Sequence, residues 1–454
     1  MKLFVWQWLV ISALLIATST ANADTHPQYG GTLRVAMRAS PSSLDPAEIS
    51  AEVGERNVIA LLFDTLVKTD PAGRVQGALA ESWQISPSDQ HFQMRLRRNI
   101  KFHDGTALSA EIAADSLRKA NPGWKVTAAA DVLSLEPNVP VVELLQELAL
   151  PRNAIAKRDS GTSISGTGPF HIIEWQPGKK LSVGANEDYW GGRPFLDQVE
   201  IEMGRGTREQ MNALESGRVD LVEVAPEQMH RVGSQRYEIA HSSPIELVAL
   251  KFAGDPASTQ QKIVRDALRF SIERRSMHSV LLQGAGQETA GLLPNWISGY
   301  GFVFSTEADL TRARQLRDQV PGVPNLTLGY DNNDPMARLL AERVALNAKD
   351  AGLSLQLTPS AADLRLIRIA IASSDPWIGL QALSNQLGLP PVKAKSRSIE
   401  DLFATEQAVL ATGRIIPLFH LPVAYVSGTA LRNWMVTPNG SLDLAQAWLK
   451  SQQP

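Results

Sequence analysis

The 454-residue sequence contains no cysteine. Disulfide bonds and thiolate metal sites are therefore excluded, and the fold must be stabilised by burial of apolar surface. Bacterial lipoproteins are tethered through a cysteine that follows their signal peptide, so we also expect no lipid anchor.

Neither sign of charge is in excess. The 44 Lys and Arg residues against 47 Asp and Glu give a net charge of −3. Such a balance predicts no nucleic-acid partner and no attraction to an anionic membrane surface. The hydrophobic share of 44% and charged share of 20% are typical of a globular chain.

Long apolar runs are absent beyond the amino terminus. There, Lys2 precedes the apolar stretch 3–17, and Ala21-Asn22-Ala23 follows. This order predicts a secretory signal peptide over residues 1–23. The alternative is an uncleaved membrane anchor, but Gln7 interrupts a run already shorter than the ~18–20 apolar residues of a spanning helix. We expect an exported, soluble protein without a lipid anchor.

Motifs for chemistry are also missing. No two of the eight histidines have the i, i+4 or short-loop spacing of metal sites, and no G-x-S-x-G nucleophile motif occurs. His103-Asp104-Gly105 contains a turn-forming Asp-Gly step. Gly166-Thr167-Gly168-Pro169-Phe170 lacks the Lys-Ser/Thr of a phosphate loop, which favours a turn or hinge. The sequence predicts no catalytic residue, no metal and no cofactor.

Helical and strand periodicities alternate along the chain, which predicts an α/β fold. In the first half we expect a strand over Thr32–Arg38, a helix that carries Ile59, Leu62, Phe63 and Leu66 on one face, and a helix capped by Ser109. In the second half we expect a helix capped by Thr306, a strand over Asn325–Tyr330, a helix over Met336–Ala348 that ends at Gly352, and strands over 353–357 and 367–371.

Five ordered segments resemble the family 5 extracellular solute-binding proteins, the receptors of oligopeptide, dipeptide and nickel importers. The segments are Gly30–Val35 with Ser43–Pro46, Ala78–Trp83 with Phe102–Thr106, Gly166–Phe170 with Asn186–Trp190, Ala213–Asp220, and Val264–Leu268 with Ile272–Arg274. The second is the most specific of the five.

The resemblance implies an α/β fold that is periplasmic binding protein type II-like, with two large lobes, a hinge and a smaller satellite lobe. Lobe I is expected over 24–58, 167–252 and 423–454, the satellite lobe over 59–166, and lobe II over 253–422. The ligand would be enclosed when the two large lobes close.

The resemblance also places candidate ligand-binding residues. In peptide-binding members an aspartate pairs with the free α-amine of the ligand, whereas this sequence has Ala372 at that position. The remaining candidates are Ser50, Ala51 and Glu52 from lobe I, with Asp375 and Trp377 from lobe II. Asp375 alternatively serves as a turn residue before Pro376, so the class of ligand stays open.

The function implied is that of a periplasmic substrate-binding component of an ABC importer without enzymatic activity. Its expected partners are a peptide or other small solute and an inner-membrane ABC permease complex, and the protein itself is expected to be a monomer. Two alternatives remain at this point: an exported hydrolase of peptides or glycans, and a binding protein retooled as a sensor or envelope interaction partner.

Overall fold

A computed structural model describes residues 26–50, 52–70, 73–85, 92–137, 141–159, 163–232, 237–300, 304–359, 362–392 and 396–450. The predicted signal peptide and the candidate residue Ala51 lie outside these ranges. Among the described residues, no helix combines the length and apolarity needed to cross a bilayer.

The first large lobe is built on a seven-stranded mixed sheet. Its strands, in spatial order, are Phe170–Gln176, Lys180–Ala185, Gln198–Glu202, Thr32–Ala36, Leu221–Val224, Ala424–Gly428 and Tyr237–His241. The central strand Thr32–Ala36 runs parallel to both of its neighbours, and the other pairs are antiparallel. Helices Val53–Leu62 and Thr207–Glu215 belong to this lobe and bury apolar residues against its cores.

The second large lobe is built on a six-stranded sheet. Its strands, in spatial order, are Gln287–Glu288, Ile415–Leu421, Glu246–Phe252, Leu364–Ala370, Asn325–Gly329 and Ser354–Thr358. Strand Glu246–Phe252 sends Val248 and Leu250 into one core and Leu247 and Ala249 into another. This strand is therefore buried on both faces, as its apolar run from Leu247 to Leu250 predicts.

Helices cover both faces of this second sheet. They are Thr259–Ser271, Arg274–Val280, Asn295–Ser298, Leu310–Arg317, Pro335–Asp350, Pro376–Leu387 and Ile399–Ala411. The helix predicted to start at Thr306 begins at Leu310 instead. Its cap is Asp309, whose carboxylate accepts a hydrogen bond from the Arg312 amide at 2.8 Å. The carboxylate of Asp309, three residues after Thr306, therefore caps the helix in place of the predicted threonine.

A smaller lobe contains a four-stranded antiparallel sheet in the order Ala80–Ile85, Phe92–Leu96, Val132–Glu136 and Lys125–Ala129. Helices Ala110–Ala120 and Val141–Leu148 pack on it. Ser109 caps the first of these helices, as predicted, by accepting from the Ile112 amide at 3.3 Å.

Two short segments lie side by side where the chain crosses between the large lobes, at 242–245 and 422–423. The Ser242 amide donates to the Val423 carbonyl at 2.9 Å, and the Ile245 amide donates to the Leu421 carbonyl at 3.0 Å. The predicted lobe limits stay a prediction, although strand Glu246–Phe252, placed within the lobe I range, pairs in the second sheet.

The satellite lobe is fastened to the first lobe by charge and by hydrogen bonds. Asp45 binds Lys119 at 2.6 Å and Arg158 at 2.8 Å. Burial acts to raise the pKa of Asp45, but these two cations hold it well below its usual value. The aspartate of the Ser-Leu-Asp-Pro segment therefore has two structural roles. It caps the turn Pro46–Glu48, and it attaches the satellite lobe to the first lobe.

The predicted helix through Leu66 ends earlier, at Leu62, and Phe63 is already extended. The turn predicted at residues 166–170 lies against this helix end, and the Gly168 amide donates to the Leu62 carbonyl at 3.1 Å. A Cβ on Gly168 would lie 2.5 Å from the carbonyl carbon of Leu62, closer than packed atoms tolerate. Only glycine fits this contact between two backbones.

We expect Gly168→Ala to lower the free energy of unfolding by about 1–3 kcal/mol, because two backbone segments must separate to admit the methyl group. Urea unfolding monitored by tryptophan fluorescence measures the loss. Gly254→Ala is the control, since no atom lies within 4 Å of its added Cβ. Equal effects of the two substitutions would contradict this account.

A buried carboxylate in the second lobe provides a test of pH dependence. One oxygen of Glu406 accepts the amides of Leu292 and Leu293, and the other has no partner among the described residues. Burial raises the pKa of Glu406 to about 7 from 4.5. The folded state therefore holds this proton more tightly than the unfolded chain does, and the free energy of unfolding falls as pH rises between those values.

We expect Glu406→Gln to remove most of this fall, which reaches about 3 kcal/mol for a fully buried carboxylate. The amide oxygen keeps the two backbone hydrogen bonds, and no charge forms. Urea unfolding at about pH 5 and about pH 8 measures the difference. The exposed Glu215→Gln serves as control, and an unchanged pH dependence in Glu406→Gln would show that the residue does not titrate as described.

Candidate functional site

A cavity of about 730 Å³ lies between the two large lobes. The first lobe lines it with Arg38, Ile49, Ser50 and Glu52. The second lobe contributes Glu246, Val248, Asp331, Asp334, Met336, Ala337, Leu340, residues 365–370, Gln386 and Leu421. This central cavity is large enough for a small organic solute, and neither lobe forms it alone.

Charged residues of the central cavity come from the ends and edges of strands. Arg38 follows strand Thr32–Ala36, and its backbone amide and Nε donate to Glu223 at 2.8 and 3.3 Å. Burial alone would lower the pKa of Arg38, but Glu223 and the surrounding acids raise it. Arg38 is therefore a fixed cation on the first-lobe wall.

The second-lobe wall carries a matching pair. Arg368 lies within strand Leu364–Ala370, and its Nε donates to the Glu246 carboxylate at 2.6 Å. Glu246 opens the neighbouring strand and is buried. Arg38 and the Arg368–Glu246 pair thus face one cavity from opposite lobes, and each arginine pairs with a carboxylate of its own lobe.

Glu52 is an acid of the first-lobe wall, and its pKa is raised. It precedes helix Val53–Leu62, and its backbone amide binds the Ser50 hydroxyl at 3.1 Å. Its side chain is exposed to the cavity, yet the protein around the carboxylate and the charge of Glu223 raise its pKa to about 7. Glu52 therefore holds a proton more readily than a glutamate that is free in water.

A side pocket of about 150 Å³ adjoins the central cavity, with Ile49, Ser50 and Gln386 shared between them. Ala372, the residue at the predicted anchor position, lines this side pocket together with Arg56. Ala372 and Arg56 also line an inner pocket of about 240 Å³ on the other side. No acidic side chain therefore extends from the anchor position itself.

The structure brings together only part of the predicted site. Ser50 and Glu52, in the loop that precedes helix Val53–Leu62, line the central cavity, and their role in ligand binding stays a prediction. Asp375 caps helix Pro376–Leu387 by accepting the amides of Trp377 and Ile378, and its other oxygen binds Arg397 at 2.8 Å. These hydrogen bonds agree with the alternative role predicted for Asp375, that of a turn residue before Pro376.

Trp377 lies in the core of the second lobe. Only 4% of its surface is exposed, and it packs with Leu380 and Leu383. A ligand-binding role for Asp375 and Trp377 stays an untested prediction, and we leave both out of the site proposed below because their polar and apolar surfaces already have partners.

Four charged residues line the central cavity but were not predicted from the sequence, namely Arg38, Glu246, Asp334 and Arg368. Their signal was present as charged residues within or beside otherwise apolar strands. Arg368 interrupts an alternating Leu-Arg-Leu-Ile-Arg-Ile-Ala strand, and Glu246 precedes Leu-Val-Ala-Leu. A buried strand tolerates a charge only where a partner or a cavity meets it.

Among the described residues, no group of three or more histidine or acidic side chains is arranged to hold a metal ion. The central cavity instead offers ion-paired arginines, carboxylates and an apolar floor around Val248 and Leu340. This mixture can bind a solute by charge, hydrogen bonds and apolar contact.

The amino-acid sequence is similar to those of known binding proteins. One relative is the nickel-binding protein NikA of Staphylococcus aureus, 26% identical over 61% of this chain and 57% of that protein. Another is the probable D,D-dipeptide-binding periplasmic protein DdpA of Escherichia coli, 24% identical over 76% of this chain and 74% of that protein. In this sequence comparison, the chain thus spans little more than half the length of the first relative.

Solved structures share the fold. The crystal structure of Staphylococcus aureus NikA in complex with Ni(L-His)2 has a TM-score of 0.80 at 21% identity, covering 92% of this chain and 99% of that one. A dipeptide-binding protein from Pseudoalteromonas in complex with Met-Leu has a TM-score of 0.81 at 16% identity, covering 92% of this chain and 100% of that one. The predicted type II periplasmic binding protein architecture is confirmed.

The model of the bacterial extracellular solute-binding proteins, family 5 Middle, matches residues 74–368. This match covers most of the satellite lobe, the return into the first lobe and much of the second. Because the match extends over more than half of the 454-residue chain, the chain belongs to the family 5 bacterial extracellular solute-binding proteins.

Proposed function

We propose that this protein captures a small solute in the central cavity, outside the cytoplasm, and presents it to an inner-membrane ABC permease. The observation that carries the proposal is the cavity of about 730 Å³ whose walls come from both large lobes. A solute that contacts both walls binds the closed form more strongly than the open form, and that difference shifts the population towards closure.

The proposed binding wall consists of Arg38, Ser50 and Glu52 on one side and Glu246 with Arg368 on the other. The arginines already pair with carboxylates, so they supply directed donors without the cost of an unpaired buried charge. Release requires only that the lobes separate, because no covalent step is proposed. We further propose that the mature chain is a monomer, free in the periplasm.

Closure also involves the satellite lobe. Arg397 of the second lobe donates to Glu143 of the satellite helix Val141–Leu148 and to Asp375. Glu143 is almost fully buried, and burial raises its pKa while Arg397 opposes that rise. Arg397 thus bridges Asp375 and Glu143, of which Glu143 lines the side pocket, and we propose that this bridge stabilises the closed arrangement.

We expect Ala337→Trp to abolish solute binding, because the indole fills the central cavity from helix Pro335–Asp350. Native mass spectrometry of protein incubated with the small-molecule fraction of its own periplasm detects the bound mass, and small-angle X-ray scattering measures compaction. Ala345→Trp is the matched control, a half-buried alanine of the same helix outside the cavity. If the wild type neither retains a solute nor compacts, the proposed function is wrong.

We expect Arg397→Met to weaken solute binding by about tenfold, which corresponds to the loss of ~1.4 kcal/mol from the closed form. The substitution removes the bridge to Glu143 and leaves the central cavity untouched. Scattering should show a larger fraction of the open form at equal solute concentration. Arg414→Met is the control, because Arg414 pairs with Asp255 inside the second lobe. Equal closure of the two variants would contradict the role of the bridge.

A further inference from the structure

We propose that the side pocket binds a carboxylate of the solute through Arg56, so that this end of the site recognises an anionic group and not an amine. The proposal rests on the solute-binding function above and names the chemistry of one part of that same site.

Arg56 lies in helix Val53–Leu62 with only 9% of its surface exposed. One guanidinium nitrogen, Nη1, donates to the Ile371 carbonyl at 3.3 Å. The other two, Nε and Nη2, have no hydrogen-bond partner within the described ranges of the chain. A guanidinium left unpaired inside a protein is strongly unfavourable, which indicates that a further acceptor completes it.

Burial lowers the pKa of Arg56 to about 10, and Glu246 opposes that decrease. Arg56 therefore remains a cation at neutral pH, and its positive charge persists at the pocket wall. Only an acceptor with negative charge or strong dipoles can offset it.

The acids near Arg56 already have other partners. Glu143 is bound by Arg397, and Glu147 is bound by Arg152 and, at 2.9 Å, by Asn153. In the inner pocket, Asp64 accepts from Thr167, Tyr189 and Trp190 at distances between 2.9 and 3.1 Å. None of these carboxylates forms an ion pair with Arg56 among the described contacts, so its guanidinium stays unmatched, although the acids and arginines that line the side pocket are equal in number.

The place of Arg56 in the site identifies which part of the solute it meets. Arg56 and Ala372 line the same side pocket, and Ser50 and Gln386 connect that pocket with the central cavity. A carboxylate that reaches Nε and Nη2 would complete the guanidinium fork through two parallel hydrogen bonds, the geometry that arginine favours. Both nitrogens are buried, so the guanidinium must turn towards the pocket to meet it. An ammonium group would instead add a second cation beside an unpaired one, at a position where Ala372 offers no acid.

The test uses the small-molecule fraction of the periplasm in three forms: untreated, with carboxylates methyl-esterified, and with amines acetylated. Ligand-free protein is incubated with each, and native mass spectrometry measures the bound fraction. We expect wild-type protein to bind from the untreated and acetylated fractions and to lose about tenfold or more from the esterified one.

Variants assign the effect to Arg56. Arg56→Met should lose about tenfold or more in binding from the untreated fraction, and Arg56→Lys should retain part of it. Arg118→Met is the control, because Arg118 does not line the side pocket and pairs with Asp115 on its own helix. Thermal unfolding of each variant checks the fold.

The outcomes distinguish failure of the carboxylate proposal from failure of the proposed solute-binding function. Loss of binding on acetylation but not on esterification would overturn the carboxylate proposal, as would wild-type binding by Arg56→Met. Failure of wild-type protein to bind from any fraction would instead overturn the proposed function itself. Should Arg56→Met fail to fold, the three chemical arms on the wild type still decide the question.

Discussion

The paired crossings at 242–245 and 422–423 are the constraint on which the rest of the molecule depends. Each crossing joins a strand of the first sheet to a strand of the second, and hydrogen bonds between Ser242 and Val423 and between Ile245 and Leu421 keep the two crossings together. Because each lobe folds around its own buried cores, a cavity remains between them without loss of core packing. The lobes can therefore move as bodies about a short, hydrogen-bonded hinge.

Charge compensation distinguishes the walls of the cavity from its side pocket. Arg38 and Arg368 are each matched by a glutamate of their own lobe, so neither requires a ligand to be stable. Arg56 is not matched, although it is more deeply buried than either. This unequal pairing of three arginines in one site is the basis of the proposal that the Ala372 end binds an anionic group.

The satellite lobe takes part in the site through its edges. Asp45 and its two cations fix it to the first lobe, while Arg397 reaches Glu143 from the second. The carboxylate of Asp64, shared among Thr167, Tyr189 and Trp190, adds a second attachment to the first lobe. Under the proposed function, the satellite lobe would move with the first lobe, to which it is attached, and would meet the second lobe on closure.

Local signals in the sequence determined much of the fold: the alternating strands, the Ser109 cap and the turn at Gly166–Phe170. These features depend on neighbours in the chain, so a pattern of a few residues is sufficient to predict them. Only the tertiary structure decided the partners. It assigned Asp375 to a helix cap and to Arg397, buried Trp377, paired Arg368 with Glu246 and left Arg56 without a carboxylate, because such contacts join residues that are tens to hundreds of positions apart.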